Sequence, residues 1–130
     1  MSSFRAPLSA LALFLCATAS PALAGARLTL DAPNGLQTLA ITAAPGGGFA
    51  LVAQELVPYD GGTDPRVHVF LYEDSGRLRW ERVIDRRGPQ IAKAITYGPG
   101  EILYVAGLDG SELTANGYQS MLVGYGPGGE

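Results

Sequence analysis

The chain contains the same passage twice. Ala40-Ile41-Thr42 recurs as Ala94-Ile95-Thr96, and each is followed by a Gly/Pro turn, Pro45-Gly46-Gly47 in one and Gly98-Pro99-Gly100 in the other. An apolar run comes next: Phe49-Ala50-Leu51-Val52-Ala53 matches Ile102-Leu103-Tyr104-Val105-Ala106. Then comes a polar stretch, with Asp60-Gly61-Gly62 in the first copy and Asp109-Gly110 in the second. Val69-Phe70-Leu71-Tyr72 then matches Met121-Leu122-Val123 with Tyr125 close behind. A repeat of about 53 residues is a whole supersecondary unit, which buries its apolar face by stacking on its neighbour.

Each copy reads as strands. Val67 to Tyr72 is β-branched and aromatic, and apolar on both faces: Val67, Val69 and Leu71 on one, His68, Phe70 and Tyr72 on the other. That pattern belongs to a sheet covered on both sides. Asp74-Ser75-Gly76 is turn chemistry. Beyond it Leu78, Trp80 and Ile84 share a face, with Arg77, Arg79, Glu81 and Asp85 on the other and Arg82 interrupting the apolar side, as in a charged outer strand. The 18 glycines all lie at or after Gly25, between short apolar runs, and no helical period accompanies them. The expectation is an all-β chain. Its strands are placed at 26–30, 36–42, 49–54, 67–72, 78–84, 92–96, 102–107 and 119–124, with polar loops at 55–66 and 107–118.

These motifs resemble the glycine-rich β-propeller repeats of exported bacterial proteins. The likeness rests on the Gly-led strands Gly48 to Ala53 and Glu101 to Gly107, the strand Val67 to Tyr72, the run Asp74-Ser75-Gly76-Arg77-Leu78-Arg79-Trp80, and Ala94-Ile95. The resemblance implies two four-stranded, blade-like units, about residues 36–88 and 89–130, the second completed by strand 26–30. Two blades do not close a ring, since propellers have roughly 4 to 8. Three architectures therefore stand side by side: part of a longer propeller, a ring completed by several copies of the chain, and a small two-sheet β-sandwich. A looser likeness to quinoprotein repeats, through Ser75-Gly76 and Trp80, carries no cofactor site.

Residues 1–24 read as a secretory signal. Arg5 supplies the positive start, Leu8 to Ala17 an apolar core too short to span a bilayer, and Ala22-Leu23-Ala24 a small-x-small cleavage site. The expected location is the periplasm or the extracellular space, with no stable membrane anchor once the signal is cleaved. The sole cysteine, Cys16, leaves with the signal, so residues 25–130 carry neither disulfide nor thiol chemistry. Losing Arg5 takes the 9 basic residues to 8 against 12 acidic ones. A net negative domain argues against a nucleic-acid partner.

No catalytic constellation emerges. Ser75, Ser111 and Ser120 lack a nucleophile elbow, and Gly46-Gly47-Gly48 is not followed by the Lys-Ser/Thr of a phosphate loop. His68 is the sole histidine, set in the most apolar strand, and reads as a hydrogen-bonded core residue; no metal and no cofactor is expected. Loops on a rigid scaffold carry function, so the ligand-binding candidates are Asp60, Asp64, Arg66, Asp109 and Glu112. Gly76, Phe70, Trp80 and Tyr104 are the structural anchors, with Trp80 packing between sheets. The sequence thus points to a non-enzymatic binding or interaction module for an unknown ligand or protein, self-association included. The alternative is a piece of a secreted propeller hydrolase or quinoprotein-like enzyme whose catalytic residues lie elsewhere.

Overall fold

A computed structural model describes residues 28–86, 88–114 and 117–130, with 111–114 described by backbone alone. The expected signal 1–24, the first two residues of the expected strand 26–30, Arg87 and the side chain of Glu112 lie outside the described residues. The fold is all-β. Among the described residues the strands are β1 (Gln37–Ala43), β2 (Phe49–Tyr59), β3 (Gly62–Tyr72), β4 (Leu78–Ile84), β5 (Gln90–Tyr97), β6 (Leu103–Thr114) and β7 (Gly117–Tyr125). They form two antiparallel meanders, a first sheet β1-β2-β3-β4 and a second sheet β5-β6-β7.

The two stretches expected as polar loops are instead the arms of long hairpins. The β2–β3 ladder runs out to Tyr59 opposite Gly62, and β6–β7 out to Thr114 opposite Gly117. Leu56, Val57 and Tyr59 keep the first arm extended, and Asp60-Gly61 closes it as a two-residue turn, with Gly61 at φ 111°. At the opposite end of the sheets, four five-residue turns share one pattern. In Glu73–Arg77 the Gly76 amide donates to Glu73 O at 2.9 Å and the Glu73 amide to Arg77 O at 2.9 Å. Ala44–Gly48 and Gly126–Glu130 repeat both bonds, and Gly98–Ile102 repeats the closing one. Their fourth residue takes positive φ: Gly47 (108°), Gly76 (85°), Gly129 (82°) and, exceptionally, Glu101 (59°). Gly48 is also sterically required, since a Cβ there would lie 2.1 Å from Tyr72 O.

The ladders align the repeats residue by residue. Leu51 lies opposite Ile41 and Phe70, as Val105 lies opposite Ile95 and Val123. Phe49 therefore corresponds to Leu103, one residue away from the Ile102 that the sequence match suggests. A one-residue slip exchanges the faces of a strand, so the correction decides which face meets which. The first sheet turns Ala50, Val52, Val67, Val69, Leu71, Trp80 and Ile84 towards the second sheet. The second sheet answers with Ala92, Ile95, Leu103, Val105, Met121 and Tyr125. Those are the equivalents of the first sheet's outer face, not of its inner one. The sheets stack head to tail, unlike face on unlike face. Burying Leu103 and the valines at 52, 67, 69 and 105, each at most 1% exposed, supplies about 1.5–3 kcal/mol per side chain.

Trp80 packs between the sheets as expected, its ring 5.7 Å from that of Tyr125 and its Nε1 donating to Pro127 O at 3.1 Å. Arg82 interrupts the apolar side of β4 because it bonds across the interface. Its guanidinium carbon lies 5.7 Å from the Trp80 ring centre, and its Nε donates to Gly129 O at 2.8 Å. The outer face of the first sheet holds a second cluster, Leu51, Ala53, Phe70 and Tyr72, with Leu30, Leu36 and Phe49 packed against it. Leu28 to Leu30, expected as a strand of the second sheet, form no ladder among the described residues. Leu30 lies instead on the first sheet. Tyr104, expected as an anchor, is half-buried on the outer face of the second sheet, where a Cβ on Gly98 would meet its ring.

Candidate functional site

The β2–β3 hairpin and the connector between β4 and β5 enclose a cleft of about 410 Å³ at the hairpin end of the sheets. Tyr59, Asp64, Arg66, Asp85, Arg86 and Gln90 supply its polar lining. Local structure explains how they meet. Arg66 sits on β3 opposite Glu55 of β2, one residue before the fully buried Val67. Asp85 and Arg86 follow Ile84, whose burial fixes the end of β4. Gln90 opens β5, is 1% exposed, and donates through Nε2 to Gly88 O at 2.9 Å and to Arg86 O and Asp109 Oδ1 at 3.3 Å. One buried amide thus pins the connector to the second sheet.

The charges in the cleft are paired but not locked. Arg66 Nη2 lies 3.7 Å from Asp85 Oδ1, with both side chains substantially exposed. An ion pair of that length in water is worth ~0–1 kcal/mol, so a ligand can replace it at small cost. Arg86 Nη1 donates to the buried Asp109 Oδ2 at 2.7 Å, a charge-assisted bond that orients the guanidinium. Among the described residues, no Ser, Cys or His lines the cleft. Guanidinium and carboxylate groups with one phenol are equipment for recognition by hydrogen bonds and charge.

Of the sequence candidates, Asp64 and Arg66 line the cleft, and Asp109 stands behind it as the anchor of Arg86. Asp60 does not join them: it sits exposed at the hairpin tip. Asp85, Arg86 and Gln90 were missed as a site. Asp85 read as part of a charged outer strand, and only the packing of the second sheet behind the connector brings Arg86 to Asp109. Among the described residues, no group of three or more His, Cys, Asp or Glu is placed to hold a metal ion. Among them, no helix is long and apolar enough to cross a membrane.

A second polar cluster lies on the outer face of the first sheet. His68 is buried, with Nε2 2.7 Å from Glu55 Oε2 and Nδ1 2.9 Å from Glu81 Oε1. Only the doubly protonated ring donates to both carboxylates at once. Asn34 Nδ2 donates to the other oxygen of Glu55 at 2.8 Å. Burial pushes the Glu55 carboxyl up, but the bonds from Asn34 and His68 prevail and hold it below its ordinary value. The expectation of a hydrogen-bonded core histidine describes this residue well. Its acidic partners were invisible in sequence, since Glu55 fell in a supposed loop. Glu55 is the ladder equivalent of Asp109, and each is held by an amide from the segment leading into its sheet, Asn34 or Gln90. The repeat therefore extends to a buried acid within its second strand.

Compared with protein-family models, with curated proteins and with solved structures, the chain matches none of them.

Proposed function

We propose that the chain is an exported, non-enzymatic binding module built from two adjacent propeller-type blades. The blade reading is supported by the meandering strand order, the recurring turns and the head-to-tail contact of the sheets. Export is supported by Arg5, the apolar run Leu8 to Ala17 and the Ala22-Leu23-Ala24 site. The observation that carries the binding role is the cleft of about 410 Å³, within the range of roughly 300–1,000 Å³ typical of small-ligand sites. It presents both signs of charge, Arg66 and Arg86 with Asp64 and Asp85, on a frame pinned by Gln90. Such a lining suits a ligand that itself carries both signs, and a short peptide with free ends is the simplest. Its carboxylate would take Arg66 from Asp85, and its amine would meet the Asp85 carboxylate thereby released.

The test is an NMR titration of the isotope-labelled full chain with trialanine and with its acetylated, amidated analogue. The free tripeptide should move the amides of residues 57–66 and 85–90, the blocked one should not, and Arg66→Ala should abolish the response. A free tripeptide that leaves those amides unmoved refutes the reading.

A further inference from the structure

Two positions of the repeat are buried where the two sheets meet and bare where the stack ends. Val69 of β3, inside the stack, is 0% exposed, while its ladder equivalent Leu122 on the outer face of the second sheet is 69% exposed. Ile95 of β5, inside the stack, is 9% exposed, while its equivalent Ile41 on the outer face of the first sheet is 63% exposed. One end of the molecule thus carries a copy of the face that the first sheet uses internally. The other end carries a copy of the face that the second sheet uses internally, exposed at Ile41 and covered over Leu51, Ala53, Phe70 and Tyr72. These two are the complementary halves of an interface that the chain already makes once.

The backbone repeats the same message. In the first sheet β3 has β4 on its far side, whereas its equivalent β7 is an edge strand among the described residues. The segment entering the first sheet supplies what that edge lacks. The ladders make Gln37 the equivalent of Ile91, and the same offset carried back along the chain sets Leu30 against Ile84 and Leu28 to Leu30 against the last three residues of β4. Leu30 already lies on the outer face of the first sheet, as Ile84 lies on the inner face of the second. It occupies the place of an outer strand's end, next to where a preceding sheet would stand.

We propose that copies of this chain associate head to tail. The outer face of the second sheet of one copy, centred on Leu122, packs on the outer face of the first sheet of the next, centred on Ile41. Residues 28–30 of that next copy add to β7 as a fourth strand. This repeats the internal contact between chains and removes the free edge. A heterologous contact of this kind closes into a ring when its rotation allows. With two sheets per chain and rings of roughly 4 to 8 sheets, closure takes roughly two to four copies. The proposal does not depend on the ligand cleft, which lies at the hairpin end of the sheets.

The experiment uses the full chain, Ile41→Arg, Leu122→Arg and an equimolar mixture of the two variants. Mass is read by light scattering after size exclusion, and fold by circular dichroism. Both substitutions fall on side chains that are more than half exposed in the single chain, so the β spectrum should persist. The unaltered chain should elute as a closed multiple of 13.5 kDa and each variant at the single-chain mass. The mixture should recover a one-to-one dimer, because each variant keeps the face that the other has lost. A monomeric unaltered chain overturns the proposal. So does Ile41→Arg remaining dimeric by itself, which would mean a two-fold pairing of second sheets.

Discussion

Replacing the buried Glu55–His68 pair by apolar side chains tests whether that pair is coupled as its geometry implies. Glu55→Met leaves the Nε2 proton of His68 without its acceptor at 2.7 Å, in a site lined by Ala53 and Phe70. Removing one member of a buried ion pair costs roughly 3–5 kcal/mol. Two features favour the lower figure: Glu81, half exposed, still accepts from Nδ1, and the site lies beneath the single segment that carries Leu30, Asn34 and Leu36. A loss of about 3 kcal/mol is about a hundredfold in the ratio of folded to unfolded chain, a large part of the roughly 5–15 kcal/mol that holds a small domain. His68→Leu should cost a similar amount, because it strands the Glu55 carboxylate with only Asn34. The double variant should return to within about 1 kcal/mol of the unaltered chain, since Leu and Met fill the site with no charge left unpaired. Urea unfolding at neutral pH, followed by circular dichroism, measures all four corners of the cycle. If the two losses simply add in the double variant, the pair is not coupled and the reasoning fails. It fails equally if Glu55→Met costs less than about 1 kcal/mol.

Four further outcomes follow from the same structure. The folded Glu55 carboxyl sits below its ordinary value, so its stabilisation is complete above pH 4.5 and is lost as pH falls through the lower folded value; Glu55→Gln should flatten the acid limb of a stability-against-pH curve. Burial raises the phenols of Tyr72, Tyr97 and Tyr125, so stability should also decline as pH rises past the ordinary tyrosine value of 10.0, which alkaline unfolding would report. Glu101→Gly should stabilise by about 0.5–1 kcal/mol in thermal or urea unfolding, because Glu101 holds at φ 59° a turn position that glycine occupies in the other three turns. Leu103→Ala, at 1% exposure in the contact between sheets, should cost about 2–5 kcal/mol by the same measurement.

Much of this architecture is local, and local patterns are legible. The double-sided apolarity of Val67 to Tyr72 announced a covered strand, and His68, Phe70 and Tyr72 are indeed buried on the side opposite Val67, Val69 and Leu71. The turn at Asp74-Ser75-Gly76 and the charged outer strand after it were readable because Gly76 and the alternation of β4 act within a few residues. Even the anomaly at Arg82 was visible. Its explanation was not, because the carbonyls of Gly128 and Gly129 come from the far end of the chain.

What the tertiary structure decided depends on register and on unlike faces meeting. In sequence, Phe49 fits Ile102 as well as Leu103, because both runs are apolar throughout; only the ladder to Tyr72 and Tyr125 selects the second, and a slip of one residue reverses a strand. The cleft was illegible for a related reason. Asp64 and Arg66 were picked from a supposed loop, yet they meet Asp85, Arg86 and Gln90 only because the ladder runs on to Tyr59 and the second sheet packs behind the connector. Sequence by itself determined that the chain is all-β, repeated, and closed by glycine turns, since turn chemistry and side-chain alternation act over short distances. Tertiary structure alone decided which faces are buried, which acid meets His68, and that Ile41 and Leu122 stay exposed, since those follow from how two rigid sheets settle against each other.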